Sequence, residues 1–250
     1  MKAQAKLQTS QAADTHTHSD RLRRVYVWEL PVRLYHGINA LSITVLIVTG
    51  LYIGNPIALN SSKEATFSYI MGTVRFVHFL AAYAFLFNFI FRIYWGFAGN
   101  KYAKWRNFIP TNKKFITDLF EVIKVDVLMI KRETNFHIGH NPMAGASYFM
   151  MFIAFAVQCV TGFGLYQGQS IWWLPKLFAW VPGLFGNDML LRQVHHWATW
   201  FFVLLIVIHI YLVLYHDYIE GRGEISSMGG GWKFIEEDVF KKQEEEKKPE

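Results

Sequence analysis

Cysteine, charge and an apolar leader are what this 250-residue chain has least of. One cysteine, Cys159, excludes an internal disulfide framework and any CxxC metal or redox motif. It lies inside an apolar stretch, where a packed, inert thiol is expected. Only 18% of residues are Asp, Glu, Lys or Arg, against about a quarter in soluble domains. Acidic side chains are the scarcer sign, giving a net charge of +6. That excess does not point to nucleic acid, because the basic residues sit in loops beside apolar runs, where membrane topology accounts for them. Residues 1–28 are polar and hold no apolar h-region, so no cleavable signal peptide is expected. The first apolar run then acts as both insertion signal and first helix.

What the chain has in quantity is apolar (52%) and aromatic (17%) side chains, and they are clustered. About 20 residues rising 1.5 Å each cross a bilayer core. Four such spans are predicted, at about 34–53, 76–95, 144–166 and 194–215, the third with no charged residue. Six Lys or Arg precede the first span, eight lie between the second and third, and six follow the fourth; the other two loops hold two each. The positive-inside rule therefore places both termini and the long middle loop in the cytoplasm. The expected organisation is a polar cytoplasmic N-terminus (1–28), a four-helix transmembrane domain (29–218) and a cytoplasmic tail (219–250) with a disordered charged end. No internal repeat is evident. Phe115 to Ile130 has the spacing of an amphipathic surface helix. The outer loop from Ile171 to Leu190 carries Trp172, Trp173 and Trp180, read either as an interfacial aromatic belt or as a docking surface.

Ten histidines are present. A polar side chain at membrane depth requires a partner, and for an isolated histidine an interhelical hydrogen bond suffices. The predicted orientation puts His36 and His209 at the inner level and His78 and His195 at the outer level. His195 and His209 are fourteen residues apart on the fourth helix, hence on nearly one face and about 21 Å apart along it. Two histidines at each of two depths, presented from facing helices, suit two haems with paired axial imidazoles. The pairs are His78 with His195 and His36 with His209. His196, rotated by about 100° from His195, is a fallback ligand.

Arginine precedes three of these histidines by three residues: Arg33, Arg75 and Arg192. Each lies one turn nearer water on its histidine's face, where a guanidinium can fork onto a haem propionate. Arg92, fourteen residues after His78, is the matching candidate for the inner haem. Ordinary snorkelling is the competing reading. Gly50, Gly54, Gly162 and Gly164 permit close approach of helices or of a flat ring.

Several stretches resemble the b-type cytochrome subunit of membrane-bound nickel–iron hydrogenases: Trp28-Glu-Leu-Pro-Val-Arg-Leu-Tyr-His36, Thr49-Gly-Leu-Tyr-Ile-Gly-Asn-Pro56, Met71-Gly-Thr-Val-Arg-Phe-Val-His78, Arg92-Ile-Tyr-Trp-Gly-Phe-Ala-Gly-Asn-Lys-Tyr102 and Ile138-Gly-His-Asn-Pro142. The wider group includes the di-haem gamma subunits of formate dehydrogenases. The resemblance covers roughly residues 25–230. It implies an all-α integral membrane four-helix bundle, multi-pass in a bacterial inner membrane, with two haem b groups between helices. It also implies partner small and large hydrogenase subunits on the outer face, and electron delivery to a membrane quinone near the cytoplasm. His140 and Asn141 are the quinone candidates; Asn141 reads equally well as the cap of the third helix, with Pro142 at its first position. The chain has no nickel–iron site of its own, since such a site needs several thiolates. The competing readings are a cytochrome b of a formate dehydrogenase-type complex, a haem-free proton-relay transporter and a passive anchor.

Overall fold

The structure is a computed structural model, and it describes residues 22–56, 69–105, 109, 142–220 and 223–237. Four long helices dominate: α1 (Leu30–Gly54), α2 (Ile70–Ala98), α3 (Pro142–Tyr166) and α6 (Asp188–Glu220). Two short helices, α4 (Trp173–Lys176) and α5 (Val181–Phe185), link α3 to α6. Each long helix is apolar enough and long enough to cross a membrane. All four contain the predicted spans. They run beyond them because a helix's backbone hydrogen bonds form within its own chain whether or not a given turn is apolar. Pro31 stands in the first turn of α1, where its missing N–H costs nothing. Asn187 caps α6, its Oδ1 accepting the Leu190 N–H at 2.7 Å. At 33 residues α6 is about 50 Å long, well over the ~30 Å hydrocarbon core.

The apolar surface faces outward as well as inward. On α6, Trp197, Trp200, Leu204, Val207, Tyr211 and Leu214 recur every three to four residues and are all exposed. In water such a stripe would be a liability; in hydrocarbon it is the solvated face. The interior is aromatic. Phe85 and Phe89 of α2, Phe155 and Phe163 of α3 and Phe202 of α6 form the core, with Cys159 buried among them. Phe155 stacks on Phe202 at 5.3 Å, while Phe85 meets Phe155 edge-on at 5.0 Å.

The helices pack as two pairs, α1 along α2 and α3 along α6, whereas α1 and α6 approach each other at few points. The seam between the pairs is where the histidines lie. One end of the bundle is closed by a small cap. Strand β1 (Leu22–Tyr26) pairs antiparallel with β2 (Trp232–Glu236), in register from Leu22 opposite Glu236 to Tyr26 opposite Trp232. Helix α7 (Glu224–Gly230) precedes β2. Gly231 joins them at φ 87°, and its carbonyl accepts the Val27 and Trp28 N–H groups at 2.9 and 3.1 Å. Val27, Trp28 and Tyr102 form the cap's own buried core.

The cap is tied to the bundle by side chains from the stretches that carry the family resemblance. Glu29 Oε2 accepts from Trp95 Nε1 at 3.2 Å and from the Asn100 N–H at 3.0 Å. Asn100 Nδ2 donates to the Val27 carbonyl at 3.0 Å. Lys233, buried over the Trp28 ring, pairs with Glu224 at 2.6 Å. The sequence reading placed no strand at either end of the chain.

Candidate functional site

The seam holds two groups of imidazoles, one toward each end of the bundle. At the cap end, His36 of α1 faces His209 of α6 with ring centroids 6.3 Å apart. A metal ion held at about 2 Å by one nitrogen of each imidazole would set ring centres about 6 Å apart. At the short-helix end, His78 of α2 and His195 of α6 line one cavity of about 500 Å³. His196 lines it as well, and so do Arg75 and Arg192. The structure thus places His36 beside His209, and gathers His78, His195 and His196 on one cavity; α6 contributes to both groups.

The cavity is walled by bare backbone where the imidazoles enter. A Cβ added at Gly50 would lie 3.3 Å from His78 Cε1, and one at Gly162 would lie 3.1 Å from His195 Cε1. A Cβ at Gly54 would collide with the His196 ring. Gly164 instead receives Val181 of α5, which is fully buried. A larger residue would collide at Gly54 and Gly164 and would crowd the imidazoles at Gly50 and Gly162.

Polar neighbours orient the short-helix pair. Thr49 Oγ1 lies 2.8 Å from His78 Nδ1, and Thr161 Oγ1 lies 2.8 Å from His195 Nδ1. Gln158 Nε2 donates to Thr199 Oγ1 at 3.0 Å and to the His195 carbonyl at 3.3 Å, steadying that turn of α6. Sequence reading missed Thr49, Thr161 and Gln158. A threonine in a membrane helix carries no mark of its partner; the one available signal was that both threonines directly precede the glycines already singled out.

The four arginines separate into two kinds. Arg75 and Arg192 stand at the cavity wall, where a carboxylate would meet them. Arg33 and Arg92 are engaged by protein groups instead. Arg33 donates from Nε to the Met228 carbonyl at 3.3 Å and from Nη2 to the Gly229 carbonyl, fixing α7 by its C-terminal oxygens. Arg92 is buried; it donates to the Tyr148 hydroxyl and, at 3.2 Å, to the Ala103 carbonyl, with the Trp105 ring 5.1 Å away. His140, Asn141 and the segment from Phe115 to Ile130 lie outside the described residues; α3 begins at Pro142, the residue after Asn141.

Paired imidazoles presented across a helical membrane bundle, over glycine surfaces, are the arrangement of a membrane b-type cytochrome. The chain belongs to the prokaryotic cytochrome b561 family, whose model matches residues 27–231. It is 38% identical over 219 residues to a protein of Azotobacter chroococcum mcd 1, covering 86% of this chain and 90% of the relative. It is 35% identical to one of Rhodobacter capsulatus, covering 87% and 84%. A relative in Escherichia coli K12 is 33% identical, covering 86% and 93%. The first two are named "Probable Ni/Fe-hydrogenase B-type cytochrome subunit", and the third carries the same name for hydrogenase 1.

Family membership implies haem b, and the residues fit it. The donors are imidazoles, the usual haem ligands. The glycine walls at Gly50 and Gly162 admit the imidazoles to the cavity, and basic side chains suited to propionates stand beside it.

Proposed function

We propose that this chain is the membrane-anchoring, di-haem cytochrome b subunit through which a periplasm-facing nickel–iron hydrogenase delivers electrons from its iron–sulfur clusters to the quinone pool. The observation that carries this reading is the double presentation of imidazoles by α6: His195 into the cavity with His78, and His209 onto His36 at the other end. Haem b bound at each pair would supply a one-electron carrier, with the two imidazoles as the ligands the protein provides. The helices supply the spacing, about 21 Å along α6 between the two levels.

The roles of the chain's residues follow. His78 and His195 hold the haem nearer the periplasm, and His36 and His209 the haem nearer the cytoplasm. Arg75 and Arg192 neutralise propionates at the periplasmic site. The cap formed by β1, α7 and β2 lies on the cytoplasmic side, as the distribution of Lys and Arg requires. Quinone is reduced on that side, with His140 and Asn141, which precede α3 in the sequence, as the groups that meet its head. The exposed Trp172, Trp173 and Trp180 mark the opposite face, where the hydrogenase subunits dock.

A redox titration of the purified protein's absorbance, with haem counted per chain, tests the proposal. Two haems with separable potentials are expected. His78→Ala and His195→Ala should abolish one component, and His36→Ala and His209→Ala the other. A pure protein with no visible absorbance would instead favour the haem-free transporter.

A further inference from the structure

Two of the three histidines that line the cavity, His78 and His195, are seated by the same two-residue device. Thr49-Gly50 of α1 receives His78 of α2, and Thr161-Gly162 of α3 receives His195 of α6. In each case the hydroxyl meets Nδ1 at 2.8 Å. In each case the next residue's bare Cα leaves room for Cε1. One helix of each packed pair supplies the seat and the other supplies the histidine.

The direction of the proton follows from the hydroxyls' second contacts. Thr49 Oγ1 lies 2.6 Å from the Val45 carbonyl oxygen, and Thr161 Oγ1 lies 2.7 Å from that of Val157. A carbonyl oxygen only accepts, and two oxygens this close repel unless a proton lies between them. Each threonine therefore spends its single proton on its own helix. Toward the imidazole it can only accept, so the Nδ1 atoms of His78 and His195 are the donors. A neutral imidazole has one N–H, which leaves Nε2 with a free lone pair. Among the described residues, neither His36 nor His209 has a hydroxyl partner of this kind.

We infer that Thr49 and Thr161 are positioning residues that fix the tautomer and ring angle of His78 and His195, presenting an unprotonated Nε2 from each to the haem of that cavity. The inference rests on the di-haem reading above. Outer partners of this kind typically change metal affinity by about ten- to a hundredfold and raise the ligand's basicity. The device belongs to one of the two sites, so its loss should be felt at one haem alone.

The experiment compares Thr49→Val, Thr161→Val, the two serine variants and Thr44→Val in the full-length chain. Thr44 makes the same back-bond, to the Ala40 carbonyl at 2.8 Å, but meets no histidine. Haem per chain and the potential of each component are measured. Each valine variant at position 49 or 161 should weaken retention of one haem about tenfold. The potential of that haem should move upward, because a less basic imidazole stabilises ferric iron less. Serine should restore both quantities, and Thr44→Val should match the unsubstituted protein. Valine variants with unchanged haem and potentials, an equal loss in Thr44→Val, or no rescue by serine would overturn the inference while leaving the haems in place. An unsubstituted protein without haem would instead remove the reading beneath it. If Thr161→Val does not accumulate, Gly162→Ala serves in its place: it crowds His195 Cε1 and keeps the hydroxyl, and unchanged retention in that variant counts against the seat.

Discussion

At the scale of single residues, position within the membrane separates side chains that look alike in sequence. Arg33, Arg75 and Arg192 share one spacing from a histidine and Arg92 has another, yet the division in space is different: Arg75 and Arg192 wall the cavity, while Arg33 and Arg92 donate to protein carbonyls. The two kinds should respond differently to loss of charge. Arg192→Leu should shift the potential of the haem at His78 and His195 and leave the other unchanged, as read by redox titration. Arg92→Leu removes charged hydrogen bonds from a buried site and should cost about 2 kcal/mol of stability, seen as a lower melting temperature in detergent. The histidines were legible because polarity at depth is rare, and rarity is visible in sequence. The seats of two of them were not, because what makes Thr49 different from Thr44 is the helix opposite, which local sequence does not reveal.

At the scale of elements, the long helices could be read directly from their apolar runs, since a continuous run of about 20 apolar residues satisfies its own backbone hydrogen bonds in hydrocarbon as a helix. Only their extra turns were missed, because an apolar run marks the part of a helix that needs hydrocarbon and not where its backbone hydrogen bonds end. The strand pair escaped for a different reason. Its two five-residue strands lie some 200 positions apart and flank segments that read as polar ends. Their pairing depends on Gly231, whose left-handed backbone turns the chain from α7 into β2. A Cβ there would come within 2.6 Å of the Trp28 carbonyl oxygen. Gly231→Ala should therefore add about 1–2 kcal/mol of backbone strain on top of that clash. Limited proteolysis should then cut the segment from residue 223 onward faster, with the four spans left intact. Equal cleavage rates would show that the cap is held by other means.

At the scale of the whole molecule, the bundle is two well-packed helix pairs joined across a seam of imidazoles and small residues. Contacts within each pair are extensive, and α1 meets α6 sparsely. Bound haem would bridge the pairs through histidines on both sides, so stability should depend on cofactor supply. At a free haem concentration a hundredfold above Kd, binding adds about 3 kcal/mol. Protein produced under haem limitation should melt at a lower temperature, and added haem should reverse the drop; identical melting curves would show that the seam holds without it. The place of α6 in the chain also bears on biogenesis. Both proposed haem sites take one ligand from α6, the last of the four spans to leave the ribosome. Translation can deliver His36 and His78 to the bilayer early, but neither pair closes until the final span inserts. A chain truncated before residue 195 would be a membrane protein with two half-sites, so on this reading neither haem can be held from both sides before the fourth span is in place.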